Sequence, residues 1–186
     1  IAQAVAPKLL KLQLELGGKD PVYVRADADP LAAAEGLADG AMYNTGQSCC
    51  SVERIYVHQS LHDAFVAHFV ATVKGMRIGD PLQPDTYVGA ITRAPQLAVL
   101  QAQVDNALAK GARLHCGGRS RPGPGNWFEP TVLSGVNHTM ELMREESFGP
   151  IIGIQKVTSD EEAVALMNDT RYGLTAGIDT RDKATA

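Results

Sequence analysis

The residue best suited to nucleophilic chemistry is a cysteine in the segment Gly46-Gln47-Ser48-Cys49-Cys50. This segment follows a helical pattern and precedes a predicted strand, so we expect a tight turn that presents the thiol from a rigid scaffold. A nucleophilic cysteine must reach the thiolate state, which requires nearby backbone N–H groups or positive charge and partial access. Most free cysteines are instead small buried hydrophobic residues, and the local spacing leaves both interpretations open.

A carboxylate that could act as a base lies in a second segment. Glu15 ends an alternating stretch and is followed, one residue later, by Gly17 and Gly18. Adjacent glycines allow a ligand to approach the backbone closely. The alternative is a solvated charge on the polar face of a strand, beside Lys11 and Gln13.

A third segment pairs a carboxylate with an aromatic ring. Glu146 and Phe148 lie two residues apart, so in an extended chain their side chains point the same way. Such a pair suits a ribose hydroxyl and an adjoining ring. An ordinary exposed glutamate pair, Glu145 and Glu146, in a loop between a helix and a strand is the alternative.

Together the three segments resemble the signatures of the aldehyde dehydrogenase superfamily, in the same order and at the same separations. Cys49 follows Glu15 by 34 residues, and Glu146 follows Cys49 by a further 97. Asn44, before the Gly-Gln step, fits the same pattern. The resemblance extends over essentially all 186 residues.

The resemblance implies an NAD(P)-dependent oxidoreductase that converts an aldehyde to a carboxylic acid. Cys49 would attack the aldehyde carbon and form first a hemithioacetal and then a thioester. Glu15 would activate the water that hydrolyses the thioester, and the backbone N–H of Cys49 would be an oxyanion donor. Cys50 would shape the substrate pocket, and a Cys49–Cys50 disulfide is not expected because adjacent cysteines pair with strain.

The resemblance also implies a set of cofactor-binding residues. Glu146 would hold the nicotinamide ribose and Phe148 would pack beside it. Leu16 and Gly17 would line the nicotinamide pocket through their backbone, and Gln96 lies where the family often has another ribose contact. NAD is the expected cofactor, with NADP as an alternative.

The order of elements predicts an α/β fold with a mostly parallel sheet and flanking helices, because strands alternate with helices of 10 to 17 residues. Strict alternation predicts a strand at residues 9–16. Ser60 is expected to cap one helix, and Ser159 is expected to cap another at residues 159–168. The other predicted helices cover residues 30–43 and 94–110. The other predicted strands cover residues 22–24, 55–57, 114–116, 127–133, 151–157 and 174–179, and Pro130 favours an edge position in the sheet.

We expect two unequal parts. Residues 1–18 resemble the C-terminal end of a cofactor-binding domain, and residues 19–186 resemble a catalytic domain that is incomplete at its C-terminus. The chain begins without Met in a helix-like stretch, and a helix capped by Thr180 is expected to begin near its end. These features lead us to expect a fragment of a longer protein, inactive by itself.

Composition narrows the classes of partner. Seventeen basic and 21 acidic side chains give a net charge of −4 without long runs of one sign, so neither nucleic acid nor a membrane surface is expected as a partner. Three cysteines without a framework favour a reducing, cytoplasmic location. No metal site is expected, because metal-ligand spacings are absent. The resemblance implies a small aldehyde as substrate and a parent protein that forms homodimers or homotetramers.

Three other functions stay open. A coenzyme A-acylating relative is the first, although such enzymes often lack a carboxylate at the Glu15 position. A cysteine hydrolase that uses one of the histidines is the second, although no histidine lies in a recognisable motif. A non-catalytic fragment of the same fold is the third.

Overall fold

The computed structural model describes residues 1–186, which form an α/β structure. A helix that could span a bilayer is absent, since none combines the necessary length with the necessary apolar character. Short 3-10 helices lie at Ala6–Lys8, Tyr43–Gly46 and Glu141–Met143. The helices and strands in chain order are α1 (Ala2–Val5), β1 (Asp20–Val24), α2 (Pro30–Met42), β2 (Val52–His58), α3 (His62–Gly75), α4 (Ala94–Ala109), β3 (Arg113–Cys116), β4 (Thr131–Ser134), β5 (Ile151–Val157), α5 (Asp160–Asn168) and β6 (Gly177–Asp179).

The six strands form one sheet in the order β3-β4-β5-β2-β1-β6. Every neighbouring pair is parallel except β3 and β4, which are antiparallel. The predicted α/β class with a mostly parallel sheet is therefore confirmed. Strands β1, β2 and β5 lie in the interior of the sheet, and nearly all their residues are buried, as is typical of strands covered on both faces.

Helices cover both faces of this sheet. On one face, Phe65 and Phe69 of α3 pack with Ala38 of α2 against Ile55 and Ile154. On the other face, side chains of α4 and α5 pack with alternate strand residues, among them Tyr23, Tyr56, Leu133 and Ile151. The alternation of side chains along each strand separates the two clusters.

The prediction of a strand at residues 9–16 is wrong. These residues form no strand, and each of them is exposed. Leu9 adopts a left-handed φ of 52° at the end of the first 3-10 helix. Alternation of apolar and polar residues identifies two faces of an extended chain, but a strand also needs a neighbour that pairs with its N–H and C=O groups.

Several boundaries differ from the prediction. Leu61 and not Ser60 is the N-cap of α3, because the Ser60 hydroxyl pairs with His58 Nδ1. Pro130 lies outside the sheet, before β4, and β4 is flanked by two strands. Strand β6 begins at Gly177 instead of residue 174, and residues 183–185 after Thr180 form only a turn. By contrast, the Ser159 cap is confirmed, since its hydroxyl accepts the N–H of Glu162.

Two leucines of α4 provide a matched test of the packing. Leu100 is fully buried and Leu108 is 38% exposed. Leu100→Ala is expected to lower the free energy of unfolding by about 2–5 kcal/mol, because a cavity forms against the sheet. Leu108→Ala is expected to cost about 1 kcal/mol or less. Urea unfolding followed by circular dichroism measures both, and equal losses would contradict the assigned faces of α4.

Candidate active site

The three segments singled out in the sequence all lie at one edge of the sheet. In chain order, the first segment (residues 15–18, with Glu15) leads into β1, the cysteine turn (residues 46–50) leads into β2, and the third segment (residues 145–150, with Glu146 and Phe148) leads into β5. These strands are adjacent and mutually parallel, so their amino ends meet at the same edge. The ligand site of an open parallel sheet usually lies at the carboxyl ends. Here the candidate residues gather at the opposite, amino edge.

The first segment touches both of the others through its glycines. The N–H of Gly18 donates to Glu146 Oε1 at 2.9 Å. A Cβ placed on Gly17 would lie 2.4 Å from Glu146 Oε2, and one placed on Gly18 would lie 2.7 Å from the carbonyl oxygen of Cys49. Gly18 therefore has no room for a side chain, and a side chain at Gly17 would displace the Glu146 carboxylate.

The cysteine turn packs closely against the third segment. Asn44, Thr45 and Gly46 have positive φ values of 49°, 61° and 68°. A Cβ on Gly46 would lie 2.4 Å from the carbonyl oxygen of Gly149. The Gln47 side chain reaches the loop that precedes α4, where its Oε1 accepts a hydrogen bond from the N–H of Thr92 at 2.8 Å. The three segments are thus in contact in all three pairwise combinations.

The two adjacent thiols interact with each other. Cys49 is half-buried and Cys50 is exposed, and their sulfur atoms lie 3.7 Å apart without a disulfide. The hydrogen bond with the Cys49 thiol raises the pKa of Cys50, with desolvation as the next cause. Ser48 organises the turn, because its hydroxyl oxygen accepts from Tyr43 Oη at 2.6 Å and from the N–H of Cys50 at 3.3 Å. The N–H of Cys49 donates no hydrogen bond within the chain.

Glu15 and Leu16 lie on the exposed part of the first segment. The Glu15 carboxylate accepts a hydrogen bond from Gln13 Nε2 at 3.2 Å, and no hydrogen bond joins it to the thiols. Leu16 is 70% exposed. The role of Glu15 as a base therefore stays a prediction.

A cavity of about 780 Å³ collects the predicted cofactor-binding side chains. It is lined by Glu146, Phe148 and Gln96, and its lining includes neither Cys49 nor Glu15. The Gln96 amide donates to the carbonyl oxygen of Ser147 at 2.5 Å, so this side chain also supports the third segment. No group of three or more His, Cys, Asp or Glu side chains is arranged to hold a metal ion.

The structure contains a buried ion pair beside Ser147 that the sequence analysis did not predict. Lys19 is 1% exposed and Glu53 is 5% exposed, and Lys19 Nζ lies 2.6 Å from Glu53 Oε2. Burial pushes the pKa of Lys19 below its ordinary value, and the negative charge of Glu53 opposes that shift. Both side chains also contact Ser147, whose hydroxyl accepts from Lys19 Nζ at 3.0 Å and donates to Gln103 Oε1 at 2.7 Å.

One sequence signal could have revealed this pair. Glu53 and Arg54 interrupt an otherwise apolar central strand, and charged residues are almost never buried unless they are paired. Arg54 is fully buried and its guanidinium donates to the carbonyl oxygen of Lys19 at 2.9 Å. Two adjacent charges in a buried strand therefore indicate partners from elsewhere in the chain.

Comparison with known proteins identifies the family. The sequence model described as "Aldehyde dehydrogenase family" matches residues 1–186. The chain belongs to the aldehyde dehydrogenase family, as its three signatures predicted.

The relatives include enzymes with different aldehydes. Vanillin dehydrogenase of Pseudomonas fluorescens is 41% identical over 186 residues, which are 100% of this chain and 38% of that protein. Succinate-semialdehyde dehydrogenase [NADP(+)] 1 of Mycobacterium tuberculosis is 39% identical over 91% of this chain and 37% of that protein. The chain therefore spans less than two fifths of the length of these relatives.

A solved structure shows the same fold with ligands. A cysteine-to-alanine variant of aldehyde dehydrogenase C from Pseudomonas syringae, solved with NAD+ and octanal, is 35% identical and superimposes with a TM-score of 0.92. The match covers 100% of this chain and 39% of that chain. The fold predicted from the sequence is confirmed by this likeness.

The pKa of Cys50 provides a test of the thiol pair. Because the Cys49 thiol raises that pKa, Cys49→Ala is expected to lower it and to increase the thiolate fraction of Cys50 at a fixed pH. The rate of iodoacetamide labelling of Cys50, followed by mass spectrometry between about pH 7 and pH 10, should shift its midpoint to lower pH. Cys116→Ala, which removes the other free cysteine, serves as the control and should leave the midpoint unchanged. An unchanged midpoint in Cys49→Ala would show that the thiols do not interact.

Proposed function

We propose that the protein carrying this chain oxidises an aldehyde to a carboxylic acid with NAD+ as cofactor, through a covalent intermediate on Cys49. The single observation that carries the proposal is the mutual contact of the three segments at the amino edge. Gly17 meets Glu146, Gly18 meets Cys49, and Gly46 meets Gly149. The signatures of the family thus form one site, and relatives named for aldehyde oxidation support the reaction class.

Cys49 acts as the nucleophile in this proposal. Its thiolate forms a bond to the aldehyde carbon, the carbonyl π bond breaks, and the oxygen takes up the negative charge. The backbone N–H of Cys49 is the proposed oxyanion donor, and its freedom from hydrogen bonds within the chain supports that role. The half-buried position of Cys49 leaves the thiol accessible to a small substrate.

The cavity fits the nicotinamide end of a dinucleotide. Oε2 of Glu146 makes no hydrogen bond within the chain, so it can accept from a ribose hydroxyl, while Gly18 holds Oε1. Phe148 and Gln96 line the same cavity. Leu16 and Gly17 do not line it, and their backbone contact with the nicotinamide is proposed from the family signature alone. When bound, the nicotinamide supplies the two-electron acceptor that allows the Cys49 adduct to become a thioester. NADP is the alternative cofactor.

Glu15 is proposed to complete the reaction. Its carboxylate takes a proton from water, the resulting hydroxide attacks the thioester carbon, and the Cys49 thiolate leaves. This assignment rests on its place in the first signature, three residues before the buried Gly18. A carboxylate here favours hydrolysis to a free acid over transfer of the acyl group to coenzyme A.

We further propose that residues 1–18 belong to the cofactor-binding domain and residues 19–186 to the catalytic domain. Residues 1–17 are exposed apart from the half-buried Val5, whereas residues 18–24 are all buried, which supports a boundary at this point. The three free cysteines support a cytoplasmic location. Assembly as a homodimer or homotetramer is proposed from the family alone.

The reaction is tested on the full-length polypeptide that carries this sequence. Appearance of NADH or NADPH is followed with a panel of aliphatic, aromatic and ω-carboxy aldehydes. Cys49→Ala is expected to abolish it, because no thioester can form. Glu15→Gln is expected to keep a rapid first turnover of NADH and to slow the steady state by about 100-fold or more, because only hydrolysis is impaired.

Two outcomes would contradict these roles. NADH formation by Cys49→Ala at the wild-type rate would remove Cys49 as the nucleophile. If the folded wild type binds NAD+ but none of the aldehydes in the panel supports its reduction, a coenzyme A-dependent or a non-catalytic protein is favoured. Adding coenzyme A to the assay distinguishes these two. Cys116→Ala is the matched control for loss of a thiol outside the site.

The close approach of Gly17 to Glu146 yields a second test. Gly17→Ala would place a Cβ 2.4 Å from Glu146 Oε2, so the carboxylate must move. The dissociation constant for NAD+ is expected to rise by about 10-fold, which corresponds to one charged hydrogen bond. Gly36→Ala is the control, because a Cβ at that helical position meets nothing within 4 Å. Calorimetric titration that finds no weakening in Gly17→Ala would argue against Glu146 as the ribose contact.

A further inference from the structure

We propose that Glu53, neutralised by Lys19, is a positioning residue that sets the conformation of the Glu146–Phe148 segment and thereby the affinity for the cofactor. This inference rests on the proposed function, in which Glu146 and Phe148 contact the nicotinamide end of NAD+. Glu53 itself does not line the cavity. Its effect is therefore exerted through the backbone that carries the cavity residues.

The Glu53 carboxylate receives two consecutive backbone N–H groups of that segment. The N–H of Ser147 donates to Oε2 at 2.9 Å, and the N–H of Phe148 donates to Oε1 at 2.9 Å. Convergence of successive amides on one anion is the geometry by which backbone loops bind negatively charged ligands. Here a side chain of the same protein occupies that anion position, so the loop is held before any cofactor arrives.

Phe148 needs such a restraint. Its φ is 47°, in the left-handed region that is uncommon for residues other than glycine, and the residue is 37% exposed. Packing therefore encloses this residue only in part, and the strained backbone would relax if it were free. The hydrogen bond to Glu53 fixes the amide of Phe148, and with it the direction in which the ring enters the cavity.

Glu146 is held from the other side by the same network. Its carbonyl oxygen accepts from Gln103 Nε2 at 3.1 Å, and Gln103 Oε1 in turn accepts from the Ser147 hydroxyl. The Glu146 Oε1 accepts from the N–H of Gly18, the residue next to Lys19. The ion pair thus connects the Gly18–Lys19 backbone, which supports the Glu146 carboxylate, with the segment that contains Glu146.

The chemistry of the pair argues against a role in stability alone. Replacing a buried ion pair by apolar residues of similar volume is often neutral or stabilising. Arg54 is equally buried, but its guanidinium donates to the carbonyl oxygens of Leu166 and Met167 in α5, away from the cavity. Among the buried charges, Glu53 is the one that binds the backbone of the cavity wall, at Phe148, whereas Lys19 binds Glu53 and the Ser147 hydroxyl.

The test compares two neutral replacements of the pair in the full-length polypeptide. Lys19→Met with Glu53→Gln removes both charges but keeps an amide oxygen that can accept from Phe148. Lys19→Met with Glu53→Leu removes the charges and the acceptor. Asp160→Asn is the control, since it alters the ion pair between Arg25 and Asp160 at the carboxyl edge.

Three readouts are measured: hydrogen exchange of the Ser147 and Phe148 amides without cofactor, the dissociation constant for NAD+, and the KM for aldehyde. In the Leu double variant we expect exchange of both amides to accelerate and the dissociation constant to rise, each by about 10-fold or more, because charged hydrogen bonds are lost. The KM for aldehyde should change by less than about 2-fold. The Gln double variant should recover most of both losses, and Asp160→Asn should show neither.

Wild-type exchange and wild-type NAD+ affinity in a folded Leu double variant would overturn the proposal. If that variant does not fold, Glu53→Asp decides, because it keeps the charge but withdraws the carboxylate from the Phe148 amide. Acceleration of that amide together with weaker NAD+ binding supports the proposal, and no change in either overturns it. A wild type that binds NAD+ without oxidising aldehydes would refute the proposed function but not the positioning role of Glu53. Amide hydrogen exchange and NAD+ affinity measure that role independently of turnover.

Discussion

A buried ion pair between Lys19 and Glu53 links the amino ends of the three central strands. Lys19 precedes β1, Glu53 lies in β2, and both contact Ser147 ahead of β5. Removing one partner would leave an uncompensated buried charge, which typically costs about 3–5 kcal/mol. The sheet supplies rigid positions for these groups, and the pair transmits those positions to the loops that surround the cavity.

The fold was predictable where the chain carries local signals. The helices predicted at residues 30–43 and 94–110 correspond to α2 and α4, since Asp29 and Pro30 begin α2 and Gly111, with a φ of 94°, follows the end of α4. The prediction was wrong for residues 9–16, where alternation is clear but no neighbouring strand is present to pair with them. Presence of a partner is a tertiary property that periodicity does not report.

The site was predictable to the extent that it consists of short signatures. Cys49, Glu146 and Phe148 lie in contiguous motifs, and the structure brings those motifs together. Glu53 belongs to no such motif, and its N–H partners at Ser147 and Phe148 lie 94 and 95 residues away. A single sequence contains no signal for contacts at that separation beyond the unusual presence of charge in a buried strand.

The location of the site at the amino edge leaves the opposite edge of the sheet free of site residues. That carboxyl edge has its own contacts, including the Arg25–Asp160 bridge at 2.7 Å, and it ends in exposed residues such as Gln59 and Ser60 after β2. Exposed turns of this kind tolerate new chain ends and inserted domains. For protein engineering, the scaffold therefore offers an attachment point: a reporter domain inserted between Gln59 and Ser60 would leave the loops that carry the thiol and the proposed cofactor-binding residues uninterrupted.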